Sequence, residues 1–221
     1  MKNIFSLLFL LIYHLCSSQN DIDFSKLKVT EARVDSINLY FDKVLKSDGE
    51  KKRKLEKMFF ELLPNSHSEM CDAMYIDIWK KNVEWKKNKH KKGFVSKVYV
   101  VNPWVEYLSK MDYYDKDSYY EKYFNICIGG EYGADYLRAG FEIYERFLSD
   151  TKTACEKLER LNDKEIESIF YFIFDETHPE HNEENISLYN KMLLKMKKEN
   201  LKLSELLEKS YKRIIAEQRN H

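Results

Sequence analysis

Apolar side chains recur three and four residues apart through most of the chain beyond residue 30, the spacing that gathers them along one stripe of an α-helix. Val34, Ile37, Phe41 and Val44 form the first stripe, which begins after Thr30 and ends near Asp48-Gly49. Leu55, Met58, Phe59 and Leu62 form the second, and Pro64 stops it because the pyrrolidine ring cannot fit against the preceding helical turn. Ser66 and Glu69 have the spacing of a capping box and open a third helix through Met70, Met74 and Ile78. With only 6 Gly and 3 Pro in 221 residues, the chain lacks the frequent tight turns of a β-sandwich or barrel. The expected fold is therefore all-α, a single domain of about eight to ten helices packed as successive helical hairpins.

Val95–Val101 and the stretch around Phe124–Ile128 are the strand-like segments, so a minor two-stranded element is allowed for. Asn102-Pro103 starts another helix through Trp104, Val105 and Leu108. The tyrosine-rich stretch Tyr113–Tyr123 carries charges of both signs and is assigned to core and interface packing. Gly129-Gly130 breaks the chain before a stripe of Leu137, Phe141, Tyr144 and Leu148, and Cys155, Leu158 and Leu161 continue helically. The segment Ile166–Phe174, capped by Asn162 or Asp163, is apolar on nearly every side and belongs at the centre of the fold. Heptad-like spacing from Asn185 onward is interrupted at Asn200 and Ser210, which favours two helices in a hairpin over one long coiled-coil arm.

At the amino end, Lys2, the apolar run Ile4–Leu15 and Cys16-Ser17-Ser18 before Gln19 have the three-part pattern of a secretory signal peptide. The expected layout is a signal peptide at 1–18, a flexible N-terminal segment at 19–28 and a helical domain at 29–221. The run is too short to span a bilayer, so no transmembrane span is expected after signal removal. Leu15 directly before Cys16 argues against lipoprotein processing. The location that follows is exported, periplasmic or secreted. Cys71, Cys127 and Cys155 then remain, as one disulfide pair plus a thiol or as three small buried side chains. None lies in a Cys-x-x-Cys pair or beside a His in sequence, so thiol oxidoreductase and zinc-knuckle chemistry have no local support.

Lysines and arginines equal aspartates and glutamates at 37 each, so no net field points to nucleic acid. The densest charge run is Lys80, Lys81, Lys86, Lys87, Lys89, Lys91 and Lys92 around Trp85 and His90, with Glu84 its sole acid. It reads as a solvated helical face, or as a surface that grips an anionic envelope surface or an acidic protein. Asp175, His178 and His181 offer a carboxylate and two imidazoles suited to zinc or a similar divalent ion. Pro179 between the histidines rules out the helical His-Glu-x-x-His spacing, and a turn between two helices accounts for the same residues. Asp135 and Glu142, spaced seven apart, are an ordinary carboxylate pair in a chain with 37 acidic residues. Nucleophile-elbow, phosphate-loop and dinucleotide-turn motifs are lacking, no catalytic residue is named and no cofactor is expected.

Cys16-Ser17-Ser18-Gln19, Phe59–Ser66, Ile126–Gly130 with Ala134-Asp135, and Phe172–Asp175 leading to His178-Pro179 together give a resemblance. Over residues 55–180 the chain resembles a group of small exported helical proteins of Bacteroidota-type bacteria to which no activity is assigned. That resemblance implies an envelope location and an α-helical fold, and no reaction. The expected role is an exported, non-catalytic binding or interaction protein of the cell envelope. A metal-dependent hydrolase using the Asp175/His178/His181 segment is the alternative.

Overall fold

A computed structural model describes residues 26–92, 103–108, 110–113, 115–130, 143–175 and 181–218. Among the described residues there are ten helices and no strand: α1 (Glu31–Leu45), α2 (Gly49–Leu62), α3 (His67–Asn88), α4 (Pro103–Leu108) and α5 (Lys116–Cys127), then α6 (Ile143–Ser149), α7 (Thr151–Leu158), α8 (Asp163–Phe174), α9 (Glu183–Glu199) and α10 (Leu201–Gln218). The all-α expectation holds. Val95–Val101 and the stripe through Leu137 and Phe141 lie outside the described residues. The strand expected around Phe124–Ile128 is instead the last turn of α5, with Ile128 as its C-cap. Tyr119, Tyr120, Tyr123, Phe124, Ile126 and Cys127 are all buried, so the β-like density of aromatic and branched residues there reflects a helix enclosed on most sides. No described helix is long and apolar enough to cross a membrane.

The helix starts follow their caps. The Thr30 side chain accepts from the Arg33 amide, Asp115 from Ser118 and Asn182 from Asn185, each meeting one of the amides that a first turn leaves without a helical partner. Ser66 accepts from Glu69 N, but the Glu69 carboxylate reaches back to Asn65 N rather than to Ser66 N, so only half of the expected box forms. The complete capping box is at Asn162 and Glu165. Gly49 opens α2 instead of closing α1, and its φ of +51° is one that non-glycine residues seldom adopt. Asn200 ends α9 and starts α10, its Oδ1 accepting from Leu203 N at 3.0 Å, which is the expected helical hairpin.

α1 packs on α2 and α3; α8 lies along α10, and α9 bridges α10 to α6 and α7. α5 joins the two groups through contacts with α3, α7 and α8. One contiguous core results, and its largest fully buried side chains include Trp104, Tyr120, Phe59, Phe170, Phe172 and Phe174. α8 is as central as its composition implies: Ile166, Ile169, Phe170, Phe172 and Phe174 are buried, and each large apolar side chain contributes roughly 1.5–3 kcal/mol. Leu27 packs on the core as well, and Lys28 N donates to Asp72 Oδ2 at 2.8 Å. Cys71, Cys127 and Cys155 are free thiols.

Five charged side chains are buried among the described residues, and Glu56, Asp77 and Lys122 are the three that bind separate helices together. Glu56 accepts from Tyr107 Oη at 2.6 Å and from Tyr113 N at 2.7 Å, with Lys52 Nζ 3.7 Å away. Burial and this carboxylate together push the Tyr107 phenol up to about 12. Asp77 accepts from Asn38 Nδ2 at 2.7 Å and Lys81 Nζ at 2.6 Å, while Asn38 Oδ1 accepts from Trp104 Nε1 at 3.2 Å, a polar chain that ties α1, α3 and α4 together. Lys122 donates to Leu63 O at 2.6 Å and to Asn65 Oδ1, with its ammonium 5.0 Å from the Phe60 ring centroid. Arg33 reaches the same loop, donating to Leu62 O at 2.9 Å and Leu63 O at 3.2 Å.

Burial, aided by the Arg33 charge, pushes the Lys122 ammonium down to about 8 from an ordinary 10.5. Below pH 8 both folded and unfolded chains hold this proton, and the cost of burying the charge is fully present. Between 8 and 10.5 the folded chain releases it while the unfolded chain retains it, so this group raises stability as pH rises. Cys155, whose thiol burial pushes up to about 12 from 9.0, acts in the opposite sense from about pH 9 upward. Lys122→Met retains an apolar stem over Phe60, and Leu63 O keeps Arg33. The variant is expected to lack about 1 kcal/mol of the stability that the wild type gains between pH 8 and 9. Urea midpoints at pH 7, 8 and 9 measure this, and parallel pH curves for the two proteins would contradict it.

Candidate functional site

α3 is the helix that carries the lysine run. Its first half buries Met70, Ala73, Met74, Ile76 and Asp77, with Asp77 taking the inward place that the apolar spacing assigns to Ile78. It packs most extensively on α1 and α5. The lysines divide accordingly. Lys80 Nζ lies 2.5 Å from Asp35 Oδ1 and 3.8 Å from Glu31 Oε2 on α1, and Lys81 is the counter-ion of Asp77. Lys86, Lys87, Lys89, Lys91 and Lys92 are exposed at the end of the helix and the turn after it. Trp79 and Val83 are half-buried, while Trp85 is 39% exposed with Lys89 Nζ 5.0 Å from its ring centroid. The result is a cationic helix end with an accessible indole, beyond two lysines paired with Asp35 and Asp77.

The other sequence-derived site is only partly described. Asp175 is the buried C-cap of α8 and donates its amide to Tyr171 O at 2.8 Å; His181 is exposed ahead of Asn182; His178 lies outside the described residues, as do Asp135 and Glu142. Among the described residues no group of three or more His, Cys, Asp or Glu side chains is arranged to hold a metal ion. Asn185 donates to Phe174 O at 3.2 Å, which fastens the start of α9 to the end of α8.

Two further places were not visible in the spacing of apolar residues. A groove of about 360 Å³ between α5 and α7 is lined by Asp117, Glu121, Phe124, Asn125, Lys157, Arg160 and Leu161. Lys157 is buried in it, and its ammonium pairs with the exposed carboxylate of Asp117. These residues come from helices forty positions apart, and no local motif announces them. His67 and Cys71 meet at the start of α3, with Nε2 3.4 Å from Sγ. Here a local signal existed: a His one helical turn before a Cys, spanning the capping residues. The immediate neighbours of Cys71, Met70 and Asp72, do not reveal it.

No protein-family model, curated protein or solved structure matches the chain.

Proposed function

We propose that the chain is an exported, non-catalytic interaction protein of the cell envelope that binds an anionic partner through the C-terminal end of α3. The observation that carries this reading is the joint exposure of Lys86, Lys87, Lys89, Lys91, Lys92 and Trp85 on one short stretch. Lysines clustered near an anionic surface each contribute on the order of 1 kcal/mol, and an accessible indole adds apolar contact area where the charges bring a partner close. Lys80 and Lys81 serve the fold in this reading, because their ammonium groups are engaged with Asp35 and Asp77. The export component rests on the signal pattern at residues 1–18 and on the resemblance to exported helical proteins. An acidic envelope protein is the partner we favour, since the patch is compact and overall charge is balanced.

Capture from a solubilised envelope fraction, run beside flotation with anionic phospholipid vesicles, tests the proposal. A variant with all five exposed lysines changed to glutamine is expected to lose the captured partner, and capture by the wild type is expected to fall by at least about tenfold between 50 and 300 mM salt. Vesicle binding without protein capture would shift the partner to lipid. Capture unaffected by either salt or the five substitutions would remove the α3 surface as the binding element.

A further inference from the structure

We propose that Cys71 and His67 form a nucleophilic thiol–imidazole pair, and that Cys71 is a site of mixed-disulfide formation with small disulfides. His67 is the first residue of α3 and Cys71 lies one turn on, so the helix itself places both side chains on one face. Their geometry is that of a nucleophile and a base within reach: Cys71 Sγ lies 3.4 Å from His67 Nε2. A third group orients the base. His67 Nδ1 lies 3.0 Å from Ile126 O, at the end of α5, and a carbonyl oxygen can only accept. The proton of neutral imidazole is therefore assigned to Nδ1, from this partner, and the Nε2 lone pair is presented to the thiol. The ring is further held edge-to-face against Phe172 of α8, centroids 5.5 Å apart. Three helices thus fix one imidazole in the tautomer that a base requires.

Access separates this thiol from the others. Cys127 and Cys155 are buried, whereas Cys71 is partly exposed. Cys127 is moreover wholly enclosed in the core. Thiolate is the attacking form, and an isolated cysteine holds only a few per cent of it at neutral pH. In the reaction proposed, the Cys71 proton passes to His67 Nε2 as Sγ attacks one sulfur of the disulfide. The Sγ–S bond forms while the S–S bond of the small molecule breaks, and the departing thiolate takes the proton back from Nε2. One disulfide is consumed and one formed, and the small disulfide is itself the oxidant.

The test uses the full chain and 2-hydroxyethyl disulfide, an uncharged probe, at neutral pH, with the modified residue located by peptide mass mapping. Cys71 of the folded protein is expected to react about tenfold faster than free cysteine, with Cys127 and Cys155 unmodified. His67→Asn keeps an amide able to donate to Ile126 O while removing the base, and is expected to lower the rate about tenfold; His67→Gln serves as the second variant, each checked for intact helicity. Reaction of folded wild type no faster than free cysteine would overturn the proposal without recourse to any variant. So would wild-type rates in both folded His67 variants, or modification at a cysteine other than Cys71.

Discussion

Glu56→Ala is expected to lower the free energy of unfolding by about 3–5 kcal/mol, the range for breaking a buried, hydrogen-bonded charge network. The carboxylate is fully buried and serves two donors from a different part of the chain, Tyr107 Oη and Tyr113 N, with Lys52 alongside. Alanine leaves both donors without their acceptor and also leaves a void among Phe41, Phe59 and Tyr107, whose rings pack around one another at centroid distances of 5.3–6.2 Å. Tyr107→Phe removes one donor and keeps the rest, and is expected to cost about 1 kcal/mol. Urea denaturation of the three proteins measures this, with the midpoint shifting and the slope unchanged. Losses of equal size for Glu56→Ala and Tyr107→Phe would show that the carboxylate is not what holds α4 and its following segment onto α2.

The second large effect is expected at Gly130. A Cβ on this residue would lie 2.5 Å from Phe172 Cδ2 and 2.8 Å from Cε2 and Cγ, distances no relaxed packing accommodates. Phe172 is buried near the centre of the core on α8, so its ring cannot swing toward solvent. The loop is equally fixed: Gly129 N donates to Ser168 Oγ at 2.9 Å and Gly130 N to Cys127 O at 3.1 Å. Gly130→Ala is therefore expected to cost about 3 kcal/mol through overpacking, or roughly 6–12 °C in Tm for a chain of this size. Phe172→Leu in the same chain should recover part of that loss, a non-additivity expected of two residues in contact. An unchanged Tm in Gly130→Ala would mean that loop and helix do not approach so closely. Gly49 is different in kind, since nothing lies within 4 Å of its Cβ position and only its φ of +51° resists substitution.

What could be read from sequence is what depends on neighbours a turn or so apart. Stripes such as Val34, Ile37, Phe41 and Val44 are buried as their spacing requires, and Thr30 and Asn162 cap the helices they precede. Glu56 and Asp77 escaped the same reasoning because a charged residue on an inner face makes sense only with its partners. Those partners, Tyr107 and Tyr113 for Glu56 and Asn38 for Asp77, lie 51, 57 and 39 residues away. The lysine run was legible as a run, yet the pairing of Lys80 across to α1 and the exposure of Lys86, Lys87, Lys89, Lys91 and Lys92 depend on which flank of α3 meets Asp35. The groove beside Lys157 is a product of tertiary packing alone. The misread segment at Phe124–Ile128 shows the limit of composition: aromatic and branched residues in a row suit a strand, and equally suit a helix with neighbours on most sides.

Asn200, acting as the last brake on one helix and the first brace of the next, leaves the elbow between α9 and α10 without a spare residue. A residue inserted in the first turn of α10 would turn the rest of that helix by about 100°. Leu203, Leu207 and Ile214 would then swing off the flank of α8, so the rotational phase of the whole carboxyl-terminal arm is set where it leaves this one-residue joint.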